Sequence, residues 1–268
     1  MEIKEFQKIV WKYYAANRRA MPWRDTITPY RTFVSEVMLQ QTQVSRVMEK
    51  FPQFLELFPS FKALAEAPLQ SVLSAWQGMG YNRRALYLKT AAETVVRDYH
   101  GRLPRNPEEL EKLAGIGPAT ARSIAVFAWS SPEVFIETNV RAVFLYHFFS
   151  GRSGVSDSRL LPFVEAALDK GNLREWYYAL MDYGVFLKRE HKNPSRASAH
   201  HVRQSKFEGS VRQTRGKILK TLSLGGGAST EAALARRVAE PAVKVRTALT
   251  GLIRDGLLKK TGVKFTIG

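Results

Sequence analysis

The chain has no cysteine. Disulfides, thiolate zinc centres and iron–sulfur clusters are therefore excluded, and the composition fits a reducing compartment. It also lacks any run approaching the roughly 18 apolar residues of a membrane span, so no membrane partner is expected. The opening Met1-Glu2-Ile3-Lys4-Glu5 lacks the layout of a secretory signal. Acidic residues are scarce beside basic ones, with 24 Asp plus Glu against 41 Lys plus Arg and a formal charge of +17. A surplus of that size calls for a polyanionic partner, and inside a cell the soluble polyanion is nucleic acid. Strand-type alternation is missing before Asp255.

What is present is helical periodicity. Apolar residues recur at 3.6-type spacing in Tyr30, Phe33, Val34, Val37 and Met38, in Phe51, Phe54, Leu55 and Phe58, and in Val140, Val143, Phe144, His147 and Phe148. Prolines and glycines punctuate the intervals. The 268 residues, 45% of them hydrophobic, suffice for one large or two modest cores. Residues 1–204 read as nearly all helix, and Lys188 to Lys217 as a polar, basic stretch. His191, His200 and His201 fall in that stretch without a ligand spacing, so a basic linker is favoured over a metal site. The last residues form a separate pattern. Val211 to Leu222, a short helix capped by Ser229 or Thr230, and Pro241 to Asp255 are followed by a two-strand hairpin around Gly262. Three helices plus a β-hairpin resemble a winged helix, with Lys244 and Arg246 on the recognition helix and Lys259, Lys260 and Lys264 on the wing.

Two glycine turns resemble each other. Ala75 to Tyr81 leads into one helix, and Lys112-Leu113-Ala114-Gly115-Ile116-Gly117-Pro118 into another. In the second copy Asn106 is an N-cap, Pro107 takes the first helical position and Glu109 completes a capping box. Gly117 and Pro118 open the next helix, so backbone N–H groups face outward where a phosphate can sit. One such turn is an ordinary αα-hairpin. Two in a chain this basic point to nucleic acid, with Arg83, Arg84, Lys89 and Arg122 suited to phosphate contacts.

The most specific block is Met21-Pro22-Trp23-Arg24, Thr28-Pro29-Tyr30 and Ser35-Glu36-Val37-Met38-Leu39-Gln40-Gln41-Thr42-Gln43-Val44. At about 100° per residue Glu36 lies roughly 130° from the apolar stripe, which by itself describes a solvated surface carboxylate. With the two turns and Phe135-Ile136-Glu137-Thr138-Asn139-Val140-Arg141, however, the block resembles the helix-hairpin-helix DNA glycosylase superfamily, and within it the MutY-type adenine glycosylases. The resemblance covers about residues 5 to 190.

It implies an all-α, two-lobed helix-hairpin-helix glycosylase fold followed by the winged-helix-like module. Residues 1–20 and 131–204 would form a terminal lobe, 21–130 a barrel lobe with the hairpin, 188–210 a basic linker in place of a cluster loop, and 211–268 the module. Glu36 would be the acid that protonates the flipped adenine and then positions water. Gln41 and Tyr81 would wedge into the base stack, and Arg24, Leu39, Ala119 and Tyr178 would line the base pocket. DNA would further be touched by Gln40, Gly115, Gly117, Ala119, Arg122, Lys244, Arg246 and Lys259. The carbonyls of Leu113 and Ile116 would hold a monovalent cation, sodium or potassium. The chemistry suits these types: a base must leave the stack before its glycosidic bond is reachable, and adenine departs poorly unless protonated.

Departures from the family pattern matter. Glu137 stands where relatives carry Asp, keeping a charge for the oxocarbenium-like sugar on a side chain one methylene longer, and Asn139 matches the family's Asn. Ala119 replaces the Schiff-base lysine of lyase-type relatives and implies a monofunctional hydrolase. Tyr178 falls where relatives carry Gln or Glu facing the base. Lys188 stands at the first cluster cysteine, so no cofactor beyond that cation is expected. Asp182 reads as a structural cap. The expected enzyme acts in base-excision repair as a monomer on double-stranded DNA with a mispaired or damaged base. Its place would be the cytoplasm beside the nucleoid, or the nucleus if eukaryotic. The alternatives are a glycosylase for thymine or uracil opposite guanine or for hypoxanthine, and a non-catalytic DNA-structure binder.

Overall fold

The computed structural model describes residues 1–201, 206–225 and 227–268. Along the chain run α1 (Ile3–Asn17), α2 (Pro22–Asp25), α3 (Pro29–Leu39), α4 (Val44–Leu57), α5 (Phe61–Glu66), α6 (Leu69–Ala75) and α7 (Arg83–Asp98). Then follow α8 (Pro107–Glu111), α9 (Pro118–Trp129), α10 (Thr138–Phe148), α11 (Asp157–Ala166) and α12 (Leu173–Glu190). The C-terminal part holds α13 (Val211–Gly225), β1 (Ser229–Thr230), α14 (Glu231–Val238), α15 (Ala242–Arg254), β2 (Leu258–Thr261) and β3 (Lys264–Ile267). Among the described residues the fold is all-α apart from this small sheet.

The chain forms two compact units. The first comprises Met1–Phe33, Arg105–Glu111 and the described part of Gly117–Arg203. Residues 21–33 and 117–130, read from sequence as barrel lobe, cluster here with the terminal-lobe helices. Its core is aromatic: Phe6 of α1 meets Phe144 at 5.1 Å, Phe148 at 5.2 Å and Trp176 at 6.1 Å between ring centroids. Tilted and edge-on pairs of this kind suit ring quadrupoles. Local chemistry sets the helix starts. Asn106 Oδ1 accepts the Glu108 and Glu109 amides at 2.8 and 3.2 Å, and Pro107 and Pro118 occupy first helical positions where no N–H is needed.

The expected plain basic linker is partly built into this unit. Pro194–Ala197 forms a 3₁₀ turn, Ser195 Oγ donates to the Thr138 carbonyl at 3.3 Å, and Ser198 bridges Val155. Sequence alone hides this because short serine-rich turns carry no periodicity. Residues 202–205 lie outside the described residues.

The second unit comprises Val34–Pro104, Lys112–Ile116 and the described part of Gln204–Gly268. Val47, Phe51, Phe54, Leu64, Val72, Leu73, Trp76 and Leu88 are buried in it. The C-terminal helices and sheet pack within the same unit: Gln70 of α6 donates to the Ser223 carbonyl of α13 at 3.0 Å, and Asp255 pairs with both Arg83 and Arg215. Thr230 Oγ1 caps α14 by accepting the Ala233 amide. The sheet has three antiparallel strands in the order β1-β3-β2, not the two expected. β1 escaped notice because two residues, Ser229 and Thr230, are too few to show alternation. Among the described residues no helix is long and apolar enough to cross a membrane.

Candidate active site and DNA-binding turns

Helix α3, which belongs to the second unit from Val34 onward, and the turn after it carry the most specific residues. Tyr30, Phe33, Val34, Val37 and Met38 are buried as the periodicity requires. So are Thr32 (3% exposed) and Ser35 (1%), polar residues outside the apolar stripe. Glu36 is consequently half-buried on a helix closed to solvent over most of its circumference, and the solvated-carboxylate reading does not hold. Leu39, at the helix end, is half-buried.

Gln41 and Tyr81 both adopt left-handed backbone conformations, with φ of 52° and 45°. Such angles are sterically disfavoured for side chains other than glycine and persist where the surroundings over-determine them. Gln40 Nε2 donates to the Gly115 carbonyl at 3.3 Å, joining the end of α3 to the second glycine turn. Gly115 has φ of 78°, and a Cβ there would sit 2.9 Å from the Tyr87 ring, so this turn requires glycine twice over. Gly117, in contrast, has open space around it and an ordinary φ of −96°; it precedes α9, which no side chain caps. Leu113 and Ile116 are buried, and the Leu113 carbonyl accepts the Ile116 amide at 3.1 Å. Ala119 is exposed in the first turn of α9.

Arg84 corrects the sequence reading outright. It is 8% exposed and bonds carbonyls at the end of α3 and in the first glycine turn, which leaves it no role as a phosphate contact. Lys89 likewise donates to the Ala65 carbonyl at 2.7 Å and pairs with Glu93. Both looked like surface cations because sequence cannot reveal which carbonyls a distant segment brings.

In the first unit, Glu137 is the N-cap of α10. Its Oε1 accepts the amides of Asn139 and Val140, both at 2.7 Å, and its Oε2 accepts Asn139 Nδ2 at 3.1 Å. The extra methylene lets the side chain fold back onto its own helix, whose N-terminal partial charge suits an anion. Asn139 Oδ1 is buried with no hydrogen-bond partner among the described residues. Lys188, half-buried, is pushed down by burial, an effect that the nearby Glu137 charge opposes.

Arg24 is 6% exposed and forms a two-pronged ion pair with Asp182, 2% exposed, at 2.9 Å for each bond. Arg19 adds its amide at 3.0 Å and Nε at 2.8 Å to the same carboxylate. Asp182 thus does more than cap a helix. Burial alone would raise its carboxyl, but the Arg24 and Arg19 bonds outweigh that and hold it below the usual value. The Arg24 guanidinium also lies 4.2 Å over the Tyr178 ring, which stacks on Phe127 at 4.8 Å. Tyr178 is therefore packed by both groups and buried.

Arg122 pairs with Glu111 and Glu133 and donates to the Pro118 carbonyl, bracing the start of α9. On the module Lys244 pairs with Glu240 and Arg246 with Glu231, whereas Lys259 is exposed on β2. Sequence reasoning missed Arg212, whose Nη1 reaches the Tyr81 hydroxyl at 3.3 Å from the start of α13. Nothing in its neighbourhood in the chain signals that contact.

Residues 34–193 match the model of the HhH-GPD superfamily base excision DNA repair protein. The class is thereby set: a helix-hairpin-helix glycosylase of base-excision repair. The chain is similar to the adenine DNA glycosylase of Mycolicibacterium smegmatis, 32% identical over 281 residues that cover 97% of this chain and 94% of that protein. To those of Buchnera aphidicola subsp. Baizongia pistaciae and Mycobacterium tuberculosis it is 30% identical over 68% of the chain and 37% over 53%. It spans about half the length of these latter two, at 52% and 46%. Within the superfamily the chain belongs to the MutY-type branch of adenine DNA glycosylases. Among solved structures it resembles a thermostable thymine-DNA glycosylase, with a TM-score of 0.62 and 25% identity over 68% of this chain and 85% of that one. It shares its fold with an endonuclease III in a non-covalent DNA complex, with a TM-score of 0.57 and 17% identity over the same shares of the two chains.

Proposed function

We propose that this glycosylase hydrolyses the N-glycosidic bond of an adenine mispaired with 8-oxoguanine or guanine, acts as a monomer, and stops at the abasic site. The observation that carries this reading is Glu36, half-buried on an otherwise closed helix and five residues before the strained Gln41. A carboxylic acid in such a setting can donate a proton to the departing purine, and its conjugate base can then orient water. Glu137 supplies negative charge for the cationic sugar, and the buried Asn139 Oδ1 is an acceptor ready for water or a substrate donor. Gln41 and Tyr81 fill the gap left by the extruded base. Arg24 and Tyr178 would line the base pocket as a packed pair, the guanidinium 4.2 Å over the ring. Ala119 offers no amine for an imine, which favours hydrolysis without strand cleavage.

DNA contact in this reading runs over the two glycine turns, the uncapped start of α9 and the Lys259 wing, with Lys244, Arg246 and Arg122 exchanging carboxylate partners for phosphates. Carbonyl oxygens suit a hard cation. Leu113 keeps a second lone pair beyond its bond to Ile116, so Leu113 and Ile116 would hold sodium or potassium, which would lend positive charge beside a phosphate.

The test is single-turnover cleavage of duplexes with adenine opposite 8-oxoguanine, adenine opposite guanine, thymine or uracil opposite guanine, and hypoxanthine, each followed by alkali. Adenine duplexes should be cut only after alkali, and Glu36→Gln should abolish cutting while retaining duplex binding. Preferential cutting at thymine, uracil or hypoxanthine would transfer the activity to that base. Binding without any abasic product would leave a DNA-structure binder.

A further inference from the structure

Arg84 lies at the start of α7 and binds two turns that are far apart in the chain. Its Nη1 donates to the carbonyls of Val37 at 2.9 Å, Met38 at 2.9 Å and Gln40 at 2.6 Å. Its Nη2 donates to Thr42 Oγ1 at 2.7 Å and to the carbonyls of Met79 and Gly80, both at 3.2 Å. The first set includes carbonyls of the last turn of α3, which lack helical partners and carry the negative end of its dipole. In the second set Met79 and Gly80 belong to the glycine turn before α7, and Thr42 to the turn after α3. The guanidinium also lies 5.2 Å from the Trp76 ring centroid and 5.7 Å from that of Tyr81.

The placement relative to strain is the decisive feature. Gln41 and Tyr81, two of the left-handed non-glycine residues, each directly follow a carbonyl that Arg84 holds, those of Gln40 and Gly80. A disfavoured backbone angle relaxes unless neighbouring bonds prevent it. Here one rigid fork prevents it at both places and fixes the two turns relative to each other. A lysine offers a single ammonium and cannot reproduce a planar fork that spans both sets of acceptors.

We propose that Arg84 is the positioning residue that keeps Gln41 and Tyr81 aligned as a paired wedge, so that extrusion of the base depends on it. This rests on the reading of Gln41 and Tyr81 as the wedge. Arg84 itself touches no substrate; it acts by keeping the two turns from relaxing independently.

The experiment uses the full chain with Arg84→Met, Arg84→Lys and, as a general destabilisation control on the same helix, Leu88→Ala. Two readouts are taken. One is fluorescence of 2-aminopurine placed beside a mispaired adenine, which rises on unstacking. The other is the single-turnover rate on that paired duplex and on one where the adenine faces an abasic site and is already loosened. Arg84→Met and Arg84→Lys should abolish the rise and slow the paired duplex by about 100-fold, with less than about a tenfold loss on the loosened one. Leu88→Ala should slow both substrates alike. Equal losses on the two substrates in the Arg84 variants, or a normal fluorescence rise, would overturn the proposal. If Arg84→Met fails to fold, Arg84→Lys decides alone by the same criteria. Gln41→Ala and Tyr81→Ala separate the two claims: a rise that survives both removes the wedge reading, while a rise lost in them and kept in Arg84→Met removes only the role of Arg84.

Discussion

A Cβ added to Gly184 would lie 2.5 Å from the carbonyl oxygen of Asn139 and 2.7 Å from its Cβ. Helix α12 therefore approaches the start of α10 at a distance only glycine permits, and the contact sits two residues beyond the capping carboxylate of Glu137. Gly184→Ala forces the helices apart. Overpacking of this kind costs about 1–3 kcal/mol, and at about 2–4 °C per kcal/mol the melting temperature should fall by several degrees. The single-turnover rate should fall as well, with duplex affinity nearly unchanged. An unaltered rate and melting point would show that the backbone yields freely there.

Glu137 caps α10, the proposed function gives it a second task, and substitutions separate the two. Glu137→Ala removes the cap from two amides and should cost about 1 kcal/mol of stability, within a usual range of roughly 0.5–2, besides lowering the cleavage rate. Glu137→Asp restores the preferred capping type and keeps the charge, so it should retain both stability and rate. Thermal melts and single-turnover rates on an adenine mispair check this. An Asp variant as slow as the Ala variant would show that side-chain length, not charge, is what the site uses.

The buried Arg24–Asp182 pair supports a stability prediction. Asp182→Ala leaves the Arg24 guanidinium enclosed without its carboxylate, and breaking such a pair from one side costs about 3–5 kcal/mol. Denaturant midpoints should shift strongly. Because Arg24 also covers Tyr178 at 4.2 Å, quenching of aromatic fluorescence should change with them. A midpoint close to that of the native chain would mean that Arg24 finds another partner.

His147 sets an acid limit. Burial lowers its imidazole from the ordinary value near 6.5 to about 4, with Nε2 3.0 Å from the Tyr183 hydroxyl. The unfolded chain then binds a proton between pH 6.5 and 4 that the folded chain refuses, so stability is full above pH 6.5, declines as pH falls to about 4 and levels below. Melting temperatures measured across that range should show the decline, and His147→Gln, whose amide can either donate to or accept from the Tyr183 hydroxyl, should flatten it. An unchanged slope in the variant would assign the decline to other groups.

Much of the fold is legible in the sequence, as are the motifs that nominate the candidate site. The stripe of Tyr30, Phe33, Val34, Val37 and Met38 identifies the buried side of α3 through its spacing alone. Asn106, Pro107 and Pro118 mark helix starts because capping acts within three residues. The winged module was legible from its caps and its glycine turn, and only the two-residue β1 escaped. Glu36 and Gln41 were reachable through their motif. Their surroundings were not: the burial of Ser35 and Thr32 beside Glu36, and the left-handed angle at Gln41, arise from packing that leaves no local pattern.

The sequence by itself determined what depends on neighbours a few residues away: helices, their caps, the glycine turns, the cationic surplus and the family. Only the tertiary structure decided where the charges go. Arg24 meets a carboxylate 158 residues further along, and Arg84 binds carbonyls 44 to 47 residues before it. A cation's nearest neighbours in the chain do not specify whether it faces phosphate or disappears beneath a turn. Removing it from water is tolerable only when folding supplies enough oxygen atoms to replace the solvent.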